Sequence, residues 1–210
     1  MQNYLVGIVS IAGIVLFAGI VLSLDIVQAG SNPAIKTISD LVHGSFGWLQ
    51  NLAFLLVALA LVIFMIRLYL FTKRKISSRI GITLFGITGI SFLLLPIFPS
   101  QPPGINLPLQ VIMHNSVAGL ISASFMLGCI AFTFYFNKEP NWKRYWIYTL
   151  TTVFICLIFA LLWALLPRGL HLEGLGEQFL FISGLTWVIV ISIKLMKIYR
   201  HVRKSEINLT

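Results

Sequence analysis

Long apolar runs alternate with short polar breaks along the whole chain. The runs cover residues 4–26, 46–71, 80–98, 108–136, 145–166 and 179–199. Each is close to or above the roughly 20 residues that carry a helix across the hydrocarbon of a bilayer. Irregular backbone cannot face lipid, so the pattern predicts helices. Barrel strands would alternate polar and apolar residues over about ten positions, and no such alternation is present. The expected fold is all-α: a polytopic membrane bundle of six transmembrane helices forming one domain over residues 1–210. Internal glycines (Gly7, Gly13 and Gly19 in the first run, Gly86 and Gly89 in the third) read as points of close helix–helix contact. The breaks are too short for a soluble domain, and no internal repeat or low-complexity segment is evident.

Composition supports this. Of 210 residues, 58% are hydrophobic and 10% are charged, against about a quarter charged in a soluble domain. The net charge of +9 does not suggest nucleic acid. The basic residues cluster in two hinges and a tail between apolar segments, which suits anionic lipid headgroups. Thirteen of the 15 fall on one side of a six-span topology, leaving Lys36 and Arg168 on the other. The basic side is expected to be cytoplasmic. Both termini, residues 72–79 and the tail after Arg200 then lie on the cytoplasmic side of the cell membrane, and residues 102–106 outside. Tyr69, Tyr135, Trp142, Trp146 and Tyr199 suit the cytoplasmic headgroup level. The N-terminus lacks the basic flank of a cleaved signal, and its apolar run is too long for one. Cys129 and Cys156 lie within apolar runs and read as packing residues.

The outer side concentrates the remaining chemistry. Asp25, Asp40, Glu173, Glu177, His43, His114 and His171 all map to it. In part this only reflects that outer loops avoid lysine and arginine. Two segments stand out. Asp40, His43, Gly47 and Gln50 with Asn51 recur at steps of three and four, which predicts one helical face descending into the membrane. Amides at that depth need partners, so the face should point inward, for ligand binding or simply to join helices. The second segment is His114-Asn115-Ser116, about 9 Å beyond Pro108 along a helix axis. Ionisable residues at membrane depth are functional candidates. A neutral imidazole can take a proton or bind a metal, so His43 and His114 are the candidate metal ligands. The structural alternative is a histidine satisfied by a carbonyl. Glu177 could pair with His114 across the bundle, or simply favour a helix N-terminus. Asp40, His43, Gln50, His114 and Glu177 are expected to converge on one outward-opening cavity, with His114, Glu177 and Asp40 as candidate catalytic groups.

The stretch Ile38-Ser39-Asp40-Leu41 leading into Gly47-Trp48-Leu49-Gln50 resembles the start of the second helix in the prokaryotic six-helix family catalogued as domain of unknown function 998. Phe98-Pro99-Ser100-Gln101-Pro102-Pro103 followed by His114 is similar to that family's third-to-fourth connection. Gly174 to Glu177 is similar to the pattern opening its sixth helix. Ser100 or Gln101 stands where the family has an acid, and Gln178 where it has an arginine. The resemblance implies the six-helix fold and an outer polar face, and no reaction.

Three function classes remain open: binding or transport of a lipid or small amphiphile, a membrane enzyme acting on lipid-linked substrate with His114 as base or metal ligand, and an accessory subunit. Membrane lipids are the expected partners, and the glycine-rich faces could take a protein. No pattern assigns a cofactor. Paired axial histidines for haem are not evident, and Ser45 and Ser116 near histidines form no nucleophile motif.

Overall fold

The computed structural model describes residues 2–28, 32–72, 75–102, 104–105, 107–165 and 172–207. Six α-helices run through it: α1 (Gln2–Val27), α2 (Gly47–Phe71), α3 (Ile76–Leu94), α4 (Pro108–Lys138), α5 (Tyr145–Leu165) and α6 (Glu173–Ile207). A short 3₁₀ helix, η1 (Ile38–His43), precedes α2, and a second 3₁₀ turn, Pro140–Trp142, reverses the chain between α4 and α5. There is no strand among the described residues. All six α-helices are long and apolar enough to cross a membrane, so the chain is a multi-pass integral membrane protein.

Each helix packs on its sequence neighbours, and α6 closes the ring against α1 while also touching α2. The bundle axis is filled by aromatic rings. Trp187 of α6 lies within 5.3–5.8 Å of the ring centres of Phe64, Phe85 and Phe125. Its indole N–H donates to Thr149 Oγ1 at 2.9 Å, which satisfies the one polar group this side chain brings into the core. Small residues set the helix spacing. Phe132 covers Gly81 of α3 and Phe85 covers Gly128 of α4, so each helix receives the other's ring in a notch. Gly86 and Gly89 both face α2, and Gly13 lies against Ala60. Gly19 departs from the expectation, because a side chain added there would meet open space. Cys129 and Cys156 are free and buried.

The basic connections gather at one end of the bundle. Lys75 before α3 pairs with Glu139 after α4 at 2.5 Å, and Lys194 lies over the rings of Trp142 and Tyr145.

Three boundaries differ from the sequence reading. Helix α3 begins at Ile76 and ends at Leu94 rather than running over 80–98, because Pro96 has no N–H to continue the ladder. Helix α6 begins at Glu173, a turn and a half earlier than residue 179. The third correction concerns Asp40 and His43, which lie on η1 and not on α2. Gly44 caps η1, and the chain turns through Ser45 and Phe46 before α2 starts. At Gly47 any β-carbon would collide with the Val42 carbonyl, so the fold-back of η1 onto α2 requires glycine there. The supposed single stripe from Asp40 to Gln50 is therefore broken.

Candidate functional site

At the end opposite the basic connections, hydrogen bonds tie η1, the segment after α3 and the starts of α4 and α6 into a collar. The collar begins with a capping box on η1. Thr37 Oγ1 accepts from the Asp40 N–H at 3.3 Å, and Asp40 Oδ2 accepts from the Thr37 N–H at 3.2 Å. Helix α6 then clamps this turn. The N–H groups of Gly174 and Leu175 both donate to the Ala34 carbonyl. One turn on, the Glu177 carboxylate accepts from the Ile38 N–H at 2.7 Å and from Ser39 Oγ at 3.2 Å. Glycine at 174 is what lets the backbone of residues 33–36 lie so close. Gln178 adds contacts to Asp25 and to the Pro33 carbonyl.

The segment after α3 closes the other side. Ser100 Oγ donates to the Ser39 carbonyl at 3.0 Å, and the Gln110 amide bridges the carbonyls of Pro99 and Ser100. His43 Nε2 lies 2.8 Å from the Ser100 carbonyl and 3.0 Å from its hydroxyl. A carbonyl can only accept, so Nε2 carries the proton and cannot act as a base toward Ser100. This serine–histidine contact is structural. His114 Nδ1 sits 2.8 Å from the Phe98 carbonyl, and the same logic places the proton on Nδ1. In the neutral ring the Nε2 lone pair is then available, and no hydrogen bond from the described residues engages it.

The collar surrounds a cavity of about 670 Å³ whose walls include Asp40, His114, Glu173, Glu177, Gln101 and Trp163. It continues downward. Ser39, Ala118, Trp163, Ala164 and Glu177 also line a narrower space of about 180 Å³, whose remaining walls are Leu95, Gly119, Ile121, Ser122, Ala160, Leu180 and Phe181. Ile121, Ser122, Leu180 and Phe181 pass in turn into a small apolar pocket reaching Phe125 and Leu185. From Glu177 to Leu185 the slot descends about 12 Å along α6, at 1.5 Å per residue. A polar vestibule thus opens into an apolar slot that begins between α4, α5 and α6 and ends against α2 and α3.

Of the five residues expected to converge, Asp40, His114 and Glu177 share this vestibule. His43 lines a separate cavity of about 470 Å³ on the other side of Asp40, with Gln28 and Lys36. Gln50 lines neither. It is fully buried, and both ends of its amide lack a partner among the described residues, as does Asn51 Oδ1. Glu177 is bonded to η1 and not to His114. As for the metal candidates, no three His, Cys, Asp or Glu side chains come together among the described residues, and His43 and His114 line different cavities. Arg168 and His171 lie outside the described residues. The sequence reading missed Ser39, Ser100, Glu173 and Trp163 as wall residues, and the slot altogether. Thr37-x-x-Asp40 was a visible capping signal for η1. Ala118, Gly119, Ala160 and Ala164, the small residues that leave the slot open, carry no local signal of it.

The family described as "Protein of unknown function (DUF998)" matches this chain over residues 11–194, a span that includes every described residue lining the cavity. No curated protein and no solved structure gives a match.

Proposed function

The chain belongs to the DUF998 family, whose description carries no reaction, and from that premise we propose, on geometry, that it binds a single amphiphile with the head in the vestibule and the tail in the slot. The observation that supports this is the continuity of the two spaces through Ser39, Trp163 and Glu177. A site for a soluble molecule has no need of an apolar extension into the bundle, whereas an acyl or alkyl chain needs one. The vestibule opens away from the cytoplasm of a plasma-membrane protein with both termini inside. The segregation of 13 of 15 basic residues to the opposite side favours that orientation.

The experiment is photo-crosslinking in phosphatidylcholine nanodiscs with a lipid carrying a diazirine in its tail. Crosslinks are expected on slot residues such as Ile121 and Leu180, and Ala118→Trp, which fills the junction of vestibule and slot, should abolish them. Crosslinking confined to the bundle's outer surface and unchanged in Ala118→Trp would refute the reading.

A second reading has one observation in its favour. With Nδ1 held by a carbonyl, His114 presents a basic nitrogen in a cavity also lined by three carboxylates, an arrangement suited to a general base acting on a lipid-linked substrate. Turnover of an ester or phosphoester amphiphile by purified protein, lost in His114→Asn, would move the assignment from binding to catalysis.

A further inference from the structure

We infer that the head taken by the vestibule is a primary ammonium, so that the ligand is an alkyl amine or an amine-headed lipid; this rests on the amphiphile-binding reading and specifies its chemistry. Three carboxylates, Asp40, Glu173 and Glu177, line the vestibule, and no lysine or arginine does among the described residues. Nor does any described salt bridge tie these three to a base. Lys36 lines the adjoining cavity, on the far side of Asp40. Three carboxylates gathered around one cavity repel one another, and a bound cation relieves that repulsion.

The acceptors narrow the class further. Asp40 uses Oδ2 on Thr37, which leaves Oδ1. The Glu173 carboxylate and His114 Nε2 add two more acceptors to the same cavity. The His114 ring is 8% exposed and fixed at Nδ1, so a buried acceptor is held in place on the wall. An –NH₃⁺ group has three donors and no acceptor, matching this set. A trimethylammonium head offers no N–H to His114, and a phosphate would face three carboxylates. Trp163 adds an indole on which a cation can rest.

The test is competition against the tail-diazirine crosslink in nanodiscs with dodecylamine, dodecyltrimethylammonium and dodecyl phosphate, and with butylamine as a head lacking the tail. Dodecylamine should compete better than dodecyl phosphate by about tenfold or more, the size of one charge-assisted hydrogen bond. Glu173→Gln should remove most of that preference. Dodecyl phosphate competing as well as dodecylamine would overturn the ammonium assignment and leave amphiphile binding standing. Dodecyltrimethylammonium matching dodecylamine would overturn the N–H-bearing head in favour of any cation. Butylamine matching dodecylamine would show a site for soluble amines and overturn the amphiphilic ligand. A crosslink insensitive to Ala118→Trp would instead remove the amphiphile reading itself.

Discussion

Replacing Gly174 by alanine tests whether α6 clamps η1 as the geometry requires. A β-carbon at Gly174 would lie 2.9 Å from the Lys36 carbonyl carbon, with the carbonyl oxygens of Lys36 and Pro33 nearer still. All three are backbone atoms, so no side chain can swing aside. Relief requires the 33–36 segment to lift from α6, which stretches the Ile38 N–H···Glu177 bond of 2.7 Å. Overpacking costs about 1–3 kcal/mol, and loss of a hydrogen bond to a charged group about 1.5–3 kcal/mol. Against this, alanine gains about 1 kcal/mol over glycine in a helix. The net expectation is a loss of about 1.5–5 kcal/mol. Gly19→Ala is the matched control, since it carries the same propensity gain and meets nothing within 4 Å. Thermal unfolding in nanodiscs, followed by tryptophan fluorescence, should show Gly174→Ala well below wild type and Gly19→Ala at or slightly above it. Equal midpoints for the two variants would refute the clamp.

Three further outcomes are expected. Arg67 is 2% exposed and its guanidinium has no hydrogen-bond partner among the described residues, only the Phe71 ring at 5.9 Å, so Arg67→Met should raise stability by about 1–3 kcal/mol; a lower melting midpoint would show that the charge is paired in the membrane. His114→Asn keeps a donor where Nδ1 meets the Phe98 carbonyl and deletes Nε2. It should preserve the melting midpoint while weakening ligand competition, and unchanged competition would assign His114 a purely structural role. In intact cells, an impermeant thiol reagent should label cysteine at Gly104 and not at Ser77, with native Cys129 and Cys156 silent because they are buried; labelling at Ser77 would invert the topology.

The six spans were legible because membrane length and apolarity are properties of a run and need no knowledge of its neighbours. The register of the α3 end and of η1 was not, because both depend on how backbone groups are satisfied locally. Asp40 and His43 at spacing three look the same on an α-helix and on a 3₁₀ turn, and only Gly44 and the Thr37 capping box separate the two. Membership of Asp40, His114 and Glu177 in one cavity could be anticipated from their shared side of the membrane. The misplacement of Gln50 has the opposite cause. Gln50 is buried as expected, but at that depth it meets packed apolar helices, where its amide finds no partner among the described residues. The slot was invisible because it is made by the smallness of residues on two helices facing one another, and that relation exists only after folding.

The division of labour within the collar bears on what kind of site it can be. Two polar wall residues spend one hydrogen-bonding atom on the scaffold and leave another to the cavity. Asp40 gives Oδ2 to the capping box, and His114 gives Nδ1 to the end of α3. Glu177 commits both oxygens to η1, so its part in the vestibule is to hold the wall rather than to reach a ligand. Side chains held in this way have little rotamer freedom left to lose on binding, a loss that otherwise costs about 0.5–1.5 kcal/mol per side chain. They also cannot follow a ligand that moves. The vestibule is therefore the selective part of the site, rigid and particular about its head group. The slot, walled mostly by small, aliphatic and aromatic side chains, should discriminate between tails mainly by the length that about 12 Å of helix allows. A ligand series varied in the tail should accordingly show a plateau beyond a threshold chain length. One varied in the head should show differences of an order of magnitude, with both series measured by the same crosslink competition. A steep dependence on tail structure with indifference to the head would mean that rigidity and selectivity had been assigned to the wrong halves of the cavity.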